Sequence, residues 1–372
     1  MKILINTAHQ RFGGAIQVAL SFINECRNFP EHQYHVWVGH GVGKTLEPKD
    51  FPENFHFKNF DFGVINLKTI KKIQNTLSPE EEKIRPEVII STSGPTYFHS
   101  KAPQIIGFNL PLYIYPESPF VKELSLKAKL KLALKKKAHF YYFKRDATAF
   151  VTQTDDVNQR VRKALKTDKV YTVTNTASTY YKNPNQFPNK LPEKQQNVFR
   201  FITVSAYYAH KNLEIIPKVL EELKRRDLCN VKFVLTLKPE DFKKHIGEHS
   251  DIVNVGPVKP PECPSLYKEC DALFLPTLAE CFSASYPEAM MMEKPIITTD
   301  LGFAKSICGK SALFFQPKNA KAAADKIEKL IGDKTLQKQL VKNGKEQLKT
   351  FDTPKERAQK YIELCKRFSK NK

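Results

Sequence analysis

Two doubly wound, Rossmann-like α/β domains facing a central cleft are the fold this sequence predicts, and three observations predict it. At 372 residues the chain exceeds what one ordinary core serves. Short apolar runs alternate with helix-length amphipathic stretches, the rhythm of a mostly parallel sheet with crossover helices. A polar stretch bearing Pro184, Pro188 and Pro192 divides that rhythm into two series.

In the first series, strands are expected at 2–6, 34–38, 87–91, 104–108, 147–152 and 170–174, with helices at 15–26 and 156–165. In the second, strands are expected at 199–204, 231–237, 252–255, 272–276, 296–299 and 312–315. Helices are expected at 213–226, 264–270 and 286–292, and three more close the chain at 320–331, 335–350 and 355–368. Asp333 and Thr353 are suited to starting helices, and Pro354 sits at the tolerated first helical position. The domain reading is therefore 1–178, a linker at 179–197, a second domain at 198–350, and a terminal helix at 351–372 packing back on the first domain. Ligands of open α/β sheets bind outside the carboxyl ends of the strands, so the residues just after each strand are the ones to inspect.

Composition narrows the function less. A formal net charge of +21 implies an anionic partner: a phosphorylated substrate, an acidic lipid surface or nucleic acid. Seven cysteines without a C-x-x-C pair read as free thiols in a reducing compartment, not as a disulfide frame or zinc site. MKILINTA followed by HQR reads as a strand, not as a signal peptide, and no window has the apolar length of a membrane span. The expected location is cytoplasmic, on the inner face of the membrane if peripheral.

The spacing Glu280-x7-Glu288 is uninformative alone, because Glu214/Glu222 and Glu240/Glu248 repeat it. Context separates the three pairs. Glu214/Glu222 reads as one solvated helix face and Glu240/Glu248 as a charged loop, whereas Glu280 directly follows the apolar run ALFLPTL. Small residues at Ser283, Ala284 and Ser285 let backbone N–H groups approach an anion, and the helix that follows adds its positive end. Two carboxylates beside a phosphate suit a ligand rich in hydroxyls.

The string LFLPTLAECFSASYPEAMMMEKPIITTD resembles the C-terminal signature of glycosyltransferase family 4, retaining enzymes of the two-domain GT-B fold. The resemblance extends over nearly the whole chain and is most specific from Ala272 to Phe315. It implies a nucleoside diphosphate sugar as donor substrate, no cofactor and no metal. It places Glu280 by the transferred sugar, Glu288 by the ribose, and Cys281, Phe282, Ser283, Ala284 and Ser285 along the donor. Gly13 and Gly14 resemble the family's N-terminal glycine loop beside the sugar and phosphate. Lys211 matches a cation that clamps the diphosphate, while Ala206 stands where a partnering Arg is usual; His210 is one candidate to replace it. Asn109 stands where many members carry a His near the acceptor, and His99 lies close by in sequence. Asn can hydrogen-bond a sugar but cannot transfer a proton. The implied catalytic set is Glu280, Lys211 and Asn109.

Residues 122–145 carry nine Lys/Arg and a single acid, Glu123, with Leu126, Leu130 and Leu134 at every fourth position. This segment is either a helix docked on an anionic leaflet, with Phe140, Tyr141, Tyr142 and Phe143 at the interface, or a surface helix whose Leu stripe packs on the first domain. The functional expectation is a retaining, metal-independent glycosyltransferase acting on a glycan or lipid-linked acceptor, in surface polysaccharide or lipopolysaccharide synthesis. The alternatives are a nucleotide-sugar epimerase of the same fold and a basic nucleic-acid-binding protein, the latter without any RRM, KH or zinc-finger pattern.

Overall fold

The computed structural model describes residues 1–11 and 13–369, so the last three positions of the terminal-helix reading lie outside the described residues. The chain divides into two compact units. One comprises 1–114, 124–175 and the chain from 352 onward; the other comprises 115–123 and 176–351.

In the first unit, β1 (Lys2–Asn6) leads into α1 (Gly14–Glu25), followed by β2 (Gln33–Gly39) and β3 (Phe55–Phe60). Then come α2 (Leu67–Ile84), β4 (Val88–Ser91) and β5 (Gln104–Gly107). The chain next forms α3 (Pro119–Lys122), which belongs to the second unit, and returns with α4 (Leu126–Asp146), β6 (Ala149–Thr152), α5 (Asp155–Leu165) and β7 (Val170–Thr172). The seven strands are ordered β3-β2-β1-β4-β5-β6-β7, and every pair is parallel. Parallel strands covered on both faces need continuous apolar runs, which is why ILI in β1 and VII in β4 are fully buried. The order reverses between β1 and β4, so that edge is the topological switch point.

The second unit continues with β8 (Phe199–Thr203), α6 (Ile215–Lys224), β9 (Val231–Leu235), α7 (Pro239–His245) and β10 (Ile252–Asn254). It proceeds through α8 (Cys263–Lys268), β11 (Ala272–Leu275), α9 (Ser285–Met291), β12 (Ile296–Thr299), α10 (Gly302–Cys308) and β13 (Ala312–Phe315). Then follow α11 (Ala320–Gly332) and α12 (Lys334–Leu348). Its six parallel strands run β10-β9-β8-β11-β12-β13, with the switch between β8 and β11. Phe201, Phe233, Phe274 and Phe315 fill the core between this sheet and its helices.

The chain ends in α13 (Pro354–Phe368), which packs on the first unit. Tyr361 meets Phe22 edge-on at 5.0 Å, and buried Arg357 bonds Asn175 and the Ser21 hydroxyl. Thr353 and Glu356 form a reciprocal capping box at its start with Pro354 at the first turn, and Asp333 caps α12, as their residue types led one to expect.

Five elements differ from the sequence reading. The strand β3 and the helices α2, α3 and α10 went unforeseen. FHFKNF is an edge strand whose polar residues dilute its apolar signal, and α2 carries Pro79 within it. The charged loop around Glu240 is instead the helix α7. Pro239 opens it, Glu240 and Asp241 lie in its first turn, and Lys243, Lys244 and His245 in its last, the distribution that complements a helix dipole. Glu214 lies just before α6, not on a helix face, where the Tyr207 hydroxyl donates to it.

Candidate functional site

In the second unit the chain leaves β8 and makes a tight turn at Ala209–Lys211, closed by the Lys211 N–H on the Tyr208 carbonyl at 2.8 Å. The turn after β11 is stitched to it: the Leu278 N–H donates to the His210 carbonyl at 2.7 Å, and Asn212 Nδ2 reaches the Pro276 carbonyl at 3.4 Å. Thr299 at the end of β12 binds the Thr277 carbonyl at 2.7 Å. Three adjacent strand ends thus hold two short turns in register. From them project the two side chains that matter most: Lys211 Nζ donates to Glu280 Oε1, and the Thr277 hydroxyl donates to the same oxygen at 3.0 Å. The Lys211 and Glu280 side chains are only 14% and 11% exposed.

His210 does not supply a second cation here. Desolvation holds its pKa below the usual value, outweighing the pull of Glu280, so it is neutral at pH 7. The Phe120 ring packs edge-on against it at 6.0 Å. Phe120 belongs to the segment 115–123, tied to the rest of the unit by the buried bond from the Ser118 hydroxyl to the Leu278 carbonyl, 2.7 Å. Ala206 is exposed on the same stretch.

Glu288 sits in the first turn of α9. It keeps some solvent exposure, yet protein crowds its carboxyl and desolvation raises its pKa to about 7, although the Tyr181 and Tyr267 hydroxyls hydrogen-bond it. Those two rings meet edge-on at 5.8 Å. Tyr181 comes from the stretch 178–197, which packs on this unit: the Lys190 and Leu191 N–H groups donate to the Glu269 carboxylate at 2.9 and 2.7 Å. Between the two glutamates, Cys281, Ser283 and Ser285 are buried, and Phe282 packs edge-on against Phe351 at 5.9 Å. Ala284 is the N-cap of α9. At seven residues α9 is short, and its first turn has little beyond the Ser285 N–H to offer an anion: Pro287 has no N–H, and those of Tyr286 and Glu288 donate to the Ser283 and Ala284 carbonyls at 3.2 and 3.0 Å.

In the first unit, Asn109 follows β5 and its amide donates to the Ser93 hydroxyl at 3.0 Å. A Cβ on Gly107 would run into the Thr92 carbonyl, so glycine is what lets β5 end against that turn. The Ser93 carbonyl also accepts from His9 Nε2 at 2.8 Å. A carbonyl only accepts, so Nε2 carries the proton and Nδ1 presents a lone pair. That atom is buried and has no hydrogen-bond partner among the described residues, and desolvation lowers the His9 pKa to about 4. The Gln10 amide, next in sequence, is buried with neither polar atom bonded. Gly13 caps α1 at φ 85°, a conformation that favours glycine, whereas Gly14 meets nothing that would exclude a side chain. His99 lies at the opposite strand edge, before β5, bonded to the Arg145 carbonyl at 3.0 Å, and is removed from the site.

Sequence reasoning missed His9, although its place three residues after β1 puts it at the ligand-binding edge. It also missed Tyr181 and Tyr267, for which no local signal existed.

Residues 184–347 match the family model described as Glycosyl transferases group 1. The match lies within the unit that holds Lys211, Glu280 and Glu288 and supports a glycosyltransferase. Over 129 residues the chain is 32% identical to the N,N'-diacetylbacillosaminyl-diphospho-undecaprenol alpha-1,3-N-acetylgalactosaminyltransferase of Campylobacter jejuni, covering 34% of this chain and 31% of that protein. Among solved structures, the glycosyltransferase from Rickettsia africae superposes with a TM-score of 0.73 at 17% identity, covering 100% of this chain and 99% of that one. WaaG, a glycosyltransferase involved in lipopolysaccharide biosynthesis, gives 0.72 at 14% identity over 100% of both chains. At such identities the likeness establishes the fold. The two parallel-sheet units form the two-Rossmann-like GT-B fold.

Proposed function

We propose that this protein transfers a sugar, with retention, from a nucleoside diphosphate sugar to a glycan or lipid-linked acceptor in surface polysaccharide or lipopolysaccharide synthesis. The observation that carries the reading is the Lys211–Glu280 pair, held by two stitched turns at the switch point of the second sheet, with Glu288 on the following helix. A cation and two carboxylates at that edge suit a ligand that is part diphosphate and part polyol. The lipid diphosphate in the name of the Campylobacter relative supports the acceptor class, and the WaaG likeness supports the pathway.

In this reading Lys211 turns from Glu280 to the diphosphate when donor binds, and Glu280 is released to accept from sugar hydroxyls. The bond from the anomeric carbon to the diphosphate oxygen breaks while the acceptor oxygen bonds to the same face. The acceptor proton passes to the departing phosphate. Lys211 and the N–H groups of the 281–285 turn stabilise the charge that develops, without a metal ion. On the first unit, Asn109 and the free lone pair of His9 Nδ1 receive acceptor hydroxyls. The enzyme works in the cytoplasm, on the inner face of the membrane.

A thermal-shift screen against UDP-, GDP-, ADP- and CMP-sugars tests the donor class, since a ligand of the folded state raises its melting temperature. No shift with any of them would overturn the reading. Transfer that survives a chelator supports the metal-free part, and transfer that stops overturns it.

Glu288 adds a pH signature. Its carboxylate form is what accepts ribose hydroxyls, and its pKa is about 7. Donor affinity is expected to rise between pH 6 and 8. Glu288→Gln should flatten that rise and weaken binding at pH 8 by about 1–3 kcal/mol, while Glu222→Gln changes neither. In the free protein the sign is the reverse. A raised carboxyl pKa means the folded state holds the extra proton, so stability falls as pH climbs from 4.5 toward 7 and is level above. Calorimetric titration of both variants against pH reads the first effect. Melting curves read the second, in which Glu288→Gln should gain most over the parent at pH 8.

The acceptor side has its own test. His9→Phe removes one neutral hydrogen-bond acceptor, so acceptor KM should rise roughly three- to tenfold with donor affinity unchanged. An unchanged KM would remove His9 from the acceptor's contacts.

A further inference from the structure

The helix α4 is tied to its unit by one face and one end. Phe143 and Asp146 are buried. His139 is held between the Tyr97 and Tyr113 hydroxyls at 3.2 and 3.1 Å, and Phe140 meets Phe108 and Tyr113 edge-on at 6.3 and 5.9 Å. The expectation that Phe140, Tyr142 and Phe143 are interfacial aromatics is thereby corrected. Phe140 and Phe143 pack inward and Tyr142 packs on Tyr97 at 5.1 Å, because the core of the unit takes this end of the helix.

The opposite face is bare. Leu126, Leu130, Leu134 and Tyr141 are 86, 63, 62 and 61% exposed. At about 100° per residue the four fall on one side of the helix, turned away from Phe143 and His139. The Leu stripe does not pack on the first domain. Around it Lys127, Lys129, Lys131, Lys135, Lys137 and Lys144 are exposed, and none of them forms an ion pair among the described residues. The helix contains one acid, Asp146, which is buried and bonded by Arg145.

We infer that the outward face of α4, from Leu126 to Tyr141, is a docking surface for an anionic phospholipid leaflet. Exposed Leu side chains flanked by unpaired lysines are complementary to acyl chains beneath negative headgroups, and helices of this kind lie in the plane of the interface. Nucleic acid would answer the lysines but leave the Leu stripe in water, and a second copy of the same helix would bring like charges together. None of the described helices is long and apolar enough to cross a membrane, so the contact is peripheral at this helix. The inference does not depend on the donor reading, because its test involves no transfer reaction.

The test is flotation of the full chain with vesicles of phosphatidylcholine alone and of phosphatidylcholine with phosphatidylglycerol. The parent should float only with the anionic vesicles. Replacing Lys127, Lys131, Lys135 and Lys137 by Gln should cut partitioning by several hundred-fold, at roughly fivefold per residue. Replacing Leu126, Leu130 and Leu134 by Asn should cut it about tenfold or more with every charge kept. All seven positions are exposed, and unchanged near-ultraviolet circular dichroism of buried Trp37 would show that each variant is folded. Parent protein that stays unbound with both vesicle types overturns the inference. So does binding lost with the lysines but kept without the leucines, the pattern of a bare electrostatic surface such as one for RNA. A parent dimer that the leucine variant dissolves, without vesicle binding, assigns the stripe to a second copy and overturns it as well.

Discussion

Lys211→Ala is expected to lower turnover by about 10²–10³, the usual cost of removing one preorganised charge or donor from a developing anion. The geometry sharpens the reason. His210 is neutral at pH 7 and Ala206 offers no charge, so on these turns Lys211 is the cation to which the proposed function assigns the diphosphate. The loss should fall mainly in kcat, because the charge on the leaving group grows only as its bond breaks. Ala206→Arg should partly rescue the Lys211 variant if position 206 faces the diphosphate. Nucleotide release with the donor found by the thermal screen is the measurement. Turnover within a few-fold of the parent would move leaving-group stabilisation to the backbone of the 281–285 turn.

The second large effect is on stability. Lys211 and Glu280 are paired with little exposure, so Glu280→Ala strands a cation that water cannot fully reach. Breaking one partner of a buried pair costs about 3–5 kcal/mol, and the remaining exposure argues for the lower end. Lys211→Met with Glu280→Leu should recover most of that loss, since replacing both charges removes the desolvation cost as well. Urea unfolding of the two single variants and the double variant measures the coupling. Additive effects would show that the pair contributes no interaction of its own. Donor should also protect the Glu280 variant more than the parent, because the diphosphate gives Lys211 the anion it has lost.

Much of this architecture is legible in the chain. β1, β12 and β13 have the bounds that their apolar runs predict, and most other elements agree within a residue or two at each end. Strands of a parallel sheet are built mainly from short apolar runs, so II in β12 and ALFF in β13 announce themselves. The ends of those strands then say where to look. Lys211 after β8, Glu280 after β11 and Asn109 after β5 all fall at a strand's carboxyl edge by sequence alone. Capping residues are equally local, as Thr353 and Asp333 show.

What the chain could not announce is whatever depends on partners distant in sequence. That Lys211 meets Glu280 is set by the adjacency of β8 and β11, strands 69 residues apart at those side chains. The raised pKa of Glu288 needs Tyr181 and Tyr267 and the burial around them, and Tyr181 comes from a stretch that reads as a linker. His9 acquires its fixed tautomer from a carbonyl 84 residues away. The α4 helix is the clearest case. Leucines four apart among lysines fit a helix facing the core as well as one facing a lipid surface, because periodicity defines a face but not its direction. Here Phe143, Phe140 and His139 claim the inward side, and the leucines are left pointing out. Local chemistry can choose the element and mark its stripe, but which way the stripe points depends on packing, where contacts between distant segments compete for the same buried space.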